Sequence, residues 1–145
     1  MSNEKPRLAV YTRVANAGNP VALDAQQLRC VGWAASRGMQ ITEVYQSDGE
    51  HDRLLDLMND ISVGKFDAVV ASEHNRYSRD AAKVEALTEL ARKQGTAVHV
   101  VKWEDLDLTK PAGKMTLDMM GCFEDLEREQ ARAAAKVRRS REGGS

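Results

Sequence analysis

The chain has 145 residues, 42% of them hydrophobic and 30% charged, and a net charge of −1. That is the length of one domain able to bury a core, and the balance excludes a uniformly basic protein while allowing a local basic patch. No run approaches the roughly 18 apolar residues of a membrane span, and the start MSNEKPRLAV lacks the apolar stretch of a secretory signal, so a cytoplasmic location is expected.

Taken in order, RLAVYT (7–12) reads as a first strand that runs into an Asn-Ala-Gly-Asn-Pro loop. From Ala22 to Gly38, Leu23, Leu28, Val31 and Ala35 recur at helical spacing, with Gly38 as the stop. MQITEVYQ (39–46) alternates like a strand, Asp48-Gly49 opens a loop, and RLLDLMNDISVG (53–64) reads as a short helix. FDAVVAS (66–72) is a continuous apolar run, as in a strand buried on both faces of a parallel sheet. A helix over 80–95 stops at Gly95, TAVHVVKW (96–103) makes a fourth strand, and a loop over 104–114 leads to one long helix from about Lys114 to Arg141. The alternation predicts an α/β fold: a three-layer domain with a mainly parallel four- to five-stranded sheet, helices on both faces and a long C-terminal helix. Residues 1–112 would form the α/β part and 113–145 the helix, as one unit.

The two cysteines, Cys30 and Cys122, form no CxxC motif and read as core thiols in a reducing compartment. Three histidines at no ligand spacing predict no metal.

In parallel sheets ligands bind beyond the carboxyl ends of the strands. Arg13 falls there after the first strand, and SEHNRYSRD (72–80) brings Arg76 and Arg79 to the same end of the third. Three arginines so close would repel one another unless an anion joined them, and a phosphate suits the guanidinium fork. The absence of GxxxxGK[ST] and of GxGxxG argues against a P-loop or dinucleotide site. A phosphorylation receiver would need acidic residues where Thr12 and Arg13 stand.

On the last helix Met115, Met119, Cys122 and Leu126 form one stripe, with Met120 and Phe123 alongside. A helix of about 28 residues is about 42 Å long, more than a small domain covers, so this stripe is expected to form a dimer seam. The second half holds Arg132, Lys136, Arg138, Arg139 and Arg141 and, among these turns, no acid, which suits a DNA backbone.

YTRVA (11–15), LDAQ (23–26), Asp48-Gly49 with Asp52-Arg53, NRYSR (75–79) and a final helix with PAGKM and FEDLER together resemble the catalytic domain of serine recombinases, the resolvases, DNA invertases and large serine integrases. The resemblance covers nearly the whole chain. It implies site-specific DNA recombination: a serine attacks a DNA phosphodiester, leaving a 5′-phosphoserine and a free 3′-hydroxyl, and a tetramer exchanges the strands without metal, ATP or other cofactor. It implies that double-stranded DNA is the partner, with a homodimer that becomes a tetramer in the synaptic complex, and no membrane. By position it assigns Arg13, Arg76 and Arg79 to the scissile phosphate, with Arg53 and Gln26 nearby.

Four departures stand out. Asn75 occupies the place of the family's usual Asp and cannot donate a catalytic proton. Glu127-Arg128 matches the first of two Glu-Arg pairs, but Ala133-Ala134 replaces the second, and the loop between Asp48 and Arg53 is short. The nucleophile position holds Ala15, so the chain is expected to be cleavage-dead. The intact arginines point to a serine replaced in an otherwise working site. The other departures point to a natural non-catalytic relative that serves as a DNA-binding or regulatory assembly module. The ending RSREGGS reads as a flexible stop, and the DNA-binding domain that normally follows the helix is expected on a longer chain.

Overall fold

The computed structural model describes residues 5–15 and 18–143, and the expectations placed on Met1–Glu4, Asn16-Ala17 and Gly144-Ser145 lie outside those residues. Four strands, β1 (Arg7–Arg13), β2 (Gln40–Ser47), β3 (Ala68–Ala71) and β4 (Ala97–Val100), pair in parallel in the order β2-β1-β3-β4. The expected α/β architecture is present. Helix α1 (Pro20–Ser36) joins β1 to β2, and α2 (Leu54–Ser62) joins β2 to β3. A single-turn α3 (His74–Tyr77) and then α4 (Ala81–Gln94) join β3 to β4.

The chain moves outward from β1 to β2, then passes back across β1 to β3, so the strand order reverses between β1 and β3. Right-handed crossovers then put α1 on one face and α2 with α4 on the other. The two cores follow from the pleat of β1. Leu8 and Val10 pack with Cys30, Trp33 and Ala34 of α1. Ala9 and Tyr11 pack with Leu57 and Ile61 of α2 and Leu87 and Ala91 of α4.

Local chemistry sets the element ends. Pro20 opens α1 and the Asn19 side chain accepts from the Ala22 N–H, so the helix begins before the apolar pattern does. Asp80 caps α4, and Gly95 closes it in the left-handed region at φ 71°. The fourth strand is shorter than expected: Val101–Trp103 turns as a 3₁₀ helix, with the Lys102 N–H bonded to the Ser72 carbonyl at the end of β3.

The buried face of α1 differs from the one expected. Leu28 is 71% exposed and Val31 40%, whereas Gln26, Cys30, Trp33 and Ala34 are buried. One indole outweighs a leucine in apolar area, and the Trp33 Nε1–H reaches the Glu104 carbonyl at 3.2 Å. Of the two thiols expected in the core only Cys30 is there, its pKa pushed up to about 12 by burial, while Cys122 is exposed on the last helix.

That helix, α5 (Pro111–Gly143), starts a turn earlier than expected because Pro111 opens it, so the boundary expected at 113 falls inside its first turn. Gly113 lies against the 107–108 turn, where a Cβ would stand 2.2 Å from the Asp107 carbonyl oxygen. Leu117 packs on the core shared by α2 and α4. From Asp125 to Glu142 every side chain except Ala135 is exposed. No helix among the described residues is long and apolar enough to cross a membrane.

Candidate active site

The reversal of strand order opens a crevice at the carboxyl ends of β1 and β3, where open α/β sheets bind ligands. Arg13 is the last residue of β1, and α3, carrying Asn75 and Arg76, follows β3 by two residues. The two arginines hold each other's backbones. Arg13 donates from Nε to the Arg76 carbonyl at 3.2 Å and from Nη2 to the Asn75 carbonyl, and Arg76 Nη1 donates to the Arg13 carbonyl at 3.3 Å. Carbonyl dipoles thus help to offset charge that no carboxylate meets within salt-bridge distance: none of Arg13, Arg76 and Arg79 forms a salt bridge among the described residues, and Asp52 acts on Arg13 from farther away. Burial, and then the nearby exposed Arg79, lower the Arg13 pKa below the ordinary arginine value. An anion here would relieve that repulsion. Asn75 Oδ1 and Arg76 Nε are buried without a hydrogen-bond partner among the described residues, which leaves both able to take one from an incoming group.

The end of β1 is fixed from both sides. Gln26, on α1, is 5% exposed, accepts from the Arg13 N–H and donates to the Arg13 carbonyl, both at 2.9 Å. The Val14 N–H donates to the Ser47 carbonyl at 3.0 Å, and Ala15 emerges from this clamp exposed at the surface. Gln26 therefore acts on the backbone that presents position 15. Thr12 is fully buried and Ser47 is 1% exposed, so neither hydroxyl reaches solvent beside Ala15.

Arg53 takes other partners. Its guanidinium bonds Asp56 at 2.8 Å and lies over the Tyr45 ring at 5.1 Å. Its N–H donates to Ser47 Oγ at 2.8 Å, and that hydroxyl shares a 2.6 Å hydrogen bond with Tyr11, whose pKa burial pushes up to about 12. Ser47 and Tyr11 thus connect the Arg53 backbone to β1. Sequence reasoning missed this link because a serine at a strand end carries no signal of its own.

Glu127 and Arg128 line an open groove of about 670 Å³ between α4 and α5, with Asn75 and Arg79 on its wall. Arg128 pairs with Asp125 at 2.8 Å. On α5 the stripe is turned outward: Met115 is 64% exposed, Phe123 56%, and Met119, Cys122 and Leu126 are exposed as well, with Met120 half-buried. Arg132, Lys136, Arg138, Arg139 and Arg141 stand in solvent along the far half of the helix.

Residues 8–144 match the family model described as Resolvase, N terminal domain. The N-terminal catalytic domain of TP901-1 integrase is similar, with a TM-score of 0.68 at 24% identity over 86% of this chain and 98% of that one. A resolvase family site-specific recombinase from Streptococcus pneumoniae gives 0.68 at 22% identity, over 97% and 100%. A serine recombinase from Sulfolobus solfataricus gives 0.54 at 17%, over 90% and 88%. No curated protein sequence matches the chain.

Proposed function

The chain belongs to the resolvase family, whose structural neighbours here are serine recombinase catalytic domains, and from that premise we propose that it is the strand-cleaving domain of a site-specific DNA recombinase whose nucleophile position is held by Ala15. The observation that carries this reading is the interlocked pair Arg13 and Arg76, with Arg79 beside it, at a strand-end crevice two residues from position 15.

Cleavage at such a site is an in-line attack. A serine hydroxyl at position 15 gives up its proton as Oγ bonds to phosphorus, the P–O3′ bond breaks, and the departing 3′-oxygen takes up a proton, so that none is gained or lost overall. Negative charge grows on the non-bridging oxygens, and fixed guanidinium groups stabilise it without rearranging. The phosphoserine bond conserves the energy of the phosphodiester, so rejoining needs no nucleotide. Asn75 serves by hydrogen bonding alone, since an amide has no proton to give. With a methyl group at position 15 no phosphoester forms, and the chain binds without cutting. Arg132, Lys136, Arg138, Arg139 and Arg141 meet the DNA backbone, and the outward stripe of α5 pairs with a second copy, as the dimer from which a tetramer is built.

The test is reversion. The full-length protein carrying Ala15→Ser is expected to form an SDS-stable covalent adduct with DNA fragments that it retains, and Arg76→Ala is expected to abolish that adduct. If the revertant forms none on any retained fragment, the reading is wrong.

A further inference from the structure

Resting on the reading above, we propose that His74 is a positioning residue for the arginine cluster: through Glu124 it makes the geometry of Arg13 and Arg76 depend on where α5 lies.

A helix of one turn has no stability of its own, so α3 stands where its side chains hold it. At its end Tyr77 is the inward pin, fully buried, with its ring 5.8 Å from Tyr11 and its hydroxyl donating to the His99 carbonyl at 2.7 Å. At its start His74 is the outward pin. Its ring stacks on Trp103, 5.1 Å away and 9° from parallel, and its Nε2 lies 2.8 Å from Glu124 Oε1. Between the two pins sit the Asn75 and Arg76 carbonyls that hold the Arg13 guanidinium. A shift of α3 by about 1 Å would break those bonds, because a hydrogen bond is lost over that distance.

The His74–Glu124 contact is also the one side-chain hydrogen bond from α5 to the rest of the domain among the described residues. The His74 side chain is 12% exposed and the Glu124 side chain 38%, so the contact is sheltered from water on the histidine side. A carboxylate oxygen only accepts, so Nε2 is the donor of this pair, while Nδ1 is buried without a partner among the described residues. The requirement at position 74 is therefore one N–H donor in a flat, stackable group, and a glutamine amide meets half of it.

Two measurements test the proposal. The first needs no cleavage. In the chain as it stands, His74→Ala and Glu124→Ala are each expected to raise amide exchange about ten-fold in two segments together, 74–79 and 115–124. A rise in one segment without the other overturns the coupling. The second uses the Ala15→Ser protein and the DNA on which it forms an adduct. His74→Ala is expected to slow adduct formation at saturating DNA about ten-fold while changing DNA affinity less than two-fold, and His74→Gln is expected to recover part of the rate. The double variant with Glu124→Ala is expected to be no slower than either single one. Equal loss in His74→Gln and His74→Ala, or losses that multiply in the double variant, would overturn it. Failure of Ala15→Ser itself to form an adduct would count against the recombinase reading, and the exchange measurement would still decide the role of His74.

Discussion

Both ends of the Gln26 amide close on one peptide, accepting from the Arg13 N–H and donating to its carbonyl. Replacing it by leucine keeps the bulk and orphans both groups, at roughly 1–3 kcal/mol each. Gln26→Leu is therefore expected to lower the urea midpoint of unfolding. In the Ala15→Ser protein it should also slow adduct formation more than it weakens DNA binding, because the clamp holds the backbone that presents position 15 and Gln26 is itself buried. Single-turnover kinetics beside a binding isotherm would check this, and equal effects on both would refute it. At this scale the arginines were legible because like charges at neighbouring strand ends ask for a reason. Gln26 was legible only through its motif, and its burial was not. His74 gave no sign, since its partner lies 50 residues away on another element.

At the scale of elements, glycine and proline punctuation located the helices, and the run of valines and alanines located β3. Spacing points to the wrong face of α1 because it counts leucines and valines and takes no account of a glutamine whose partners are backbone groups. The 3₁₀ turn after β4 escaped because Val101 continues the strand's apolar run. Two glycines of α5 give a contrast that the sequence does not reveal. A Cβ at Gly113 would meet backbone at 2.2 Å, whereas one at Gly121 would meet nothing within 4 Å. Gly113→Ala is expected to destabilise by about 1–3 kcal/mol through overpacking. Gly121→Ala is expected to stabilise by about 0.5–1 kcal/mol through helix propensity. Chemical unfolding of the two variants should move the midpoint in opposite directions, and a shift of the same sign would contradict the packing of the first turn.

For the molecule as a whole, the outward stripe of α5 predicts self-association. Met119→Glu combined with Phe123→Glu is expected to convert a concentration-dependent dimer into a monomer in sedimentation. The thermal midpoint of the monomer should be unchanged within a few degrees, because both side chains are more than half exposed and neither belongs to the core. A dimer that survives both charges would place the seam elsewhere. The architecture was legible as a whole because strand and helix alternate along the chain, while the extent of helix left uncovered follows from packing and needed coordinates.

Helix α5 is a beam clamped at one end. Its 33 residues span about 50 Å at 1.5 Å per residue, and its last side-chain hydrogen bond to the rest of the domain, among the described residues, is at Glu124. The overhang beyond that tie is nearly 30 Å by the same rise, so a tilt of about 10° at the clamp sweeps its tip through roughly 5 Å. That is more than the spacing between successive phosphates along the duplex axis, about 3.4 Å per strand. On the DNA proposed as partner, the phosphates within reach of the basic tip would consequently be set by whatever braces the beam.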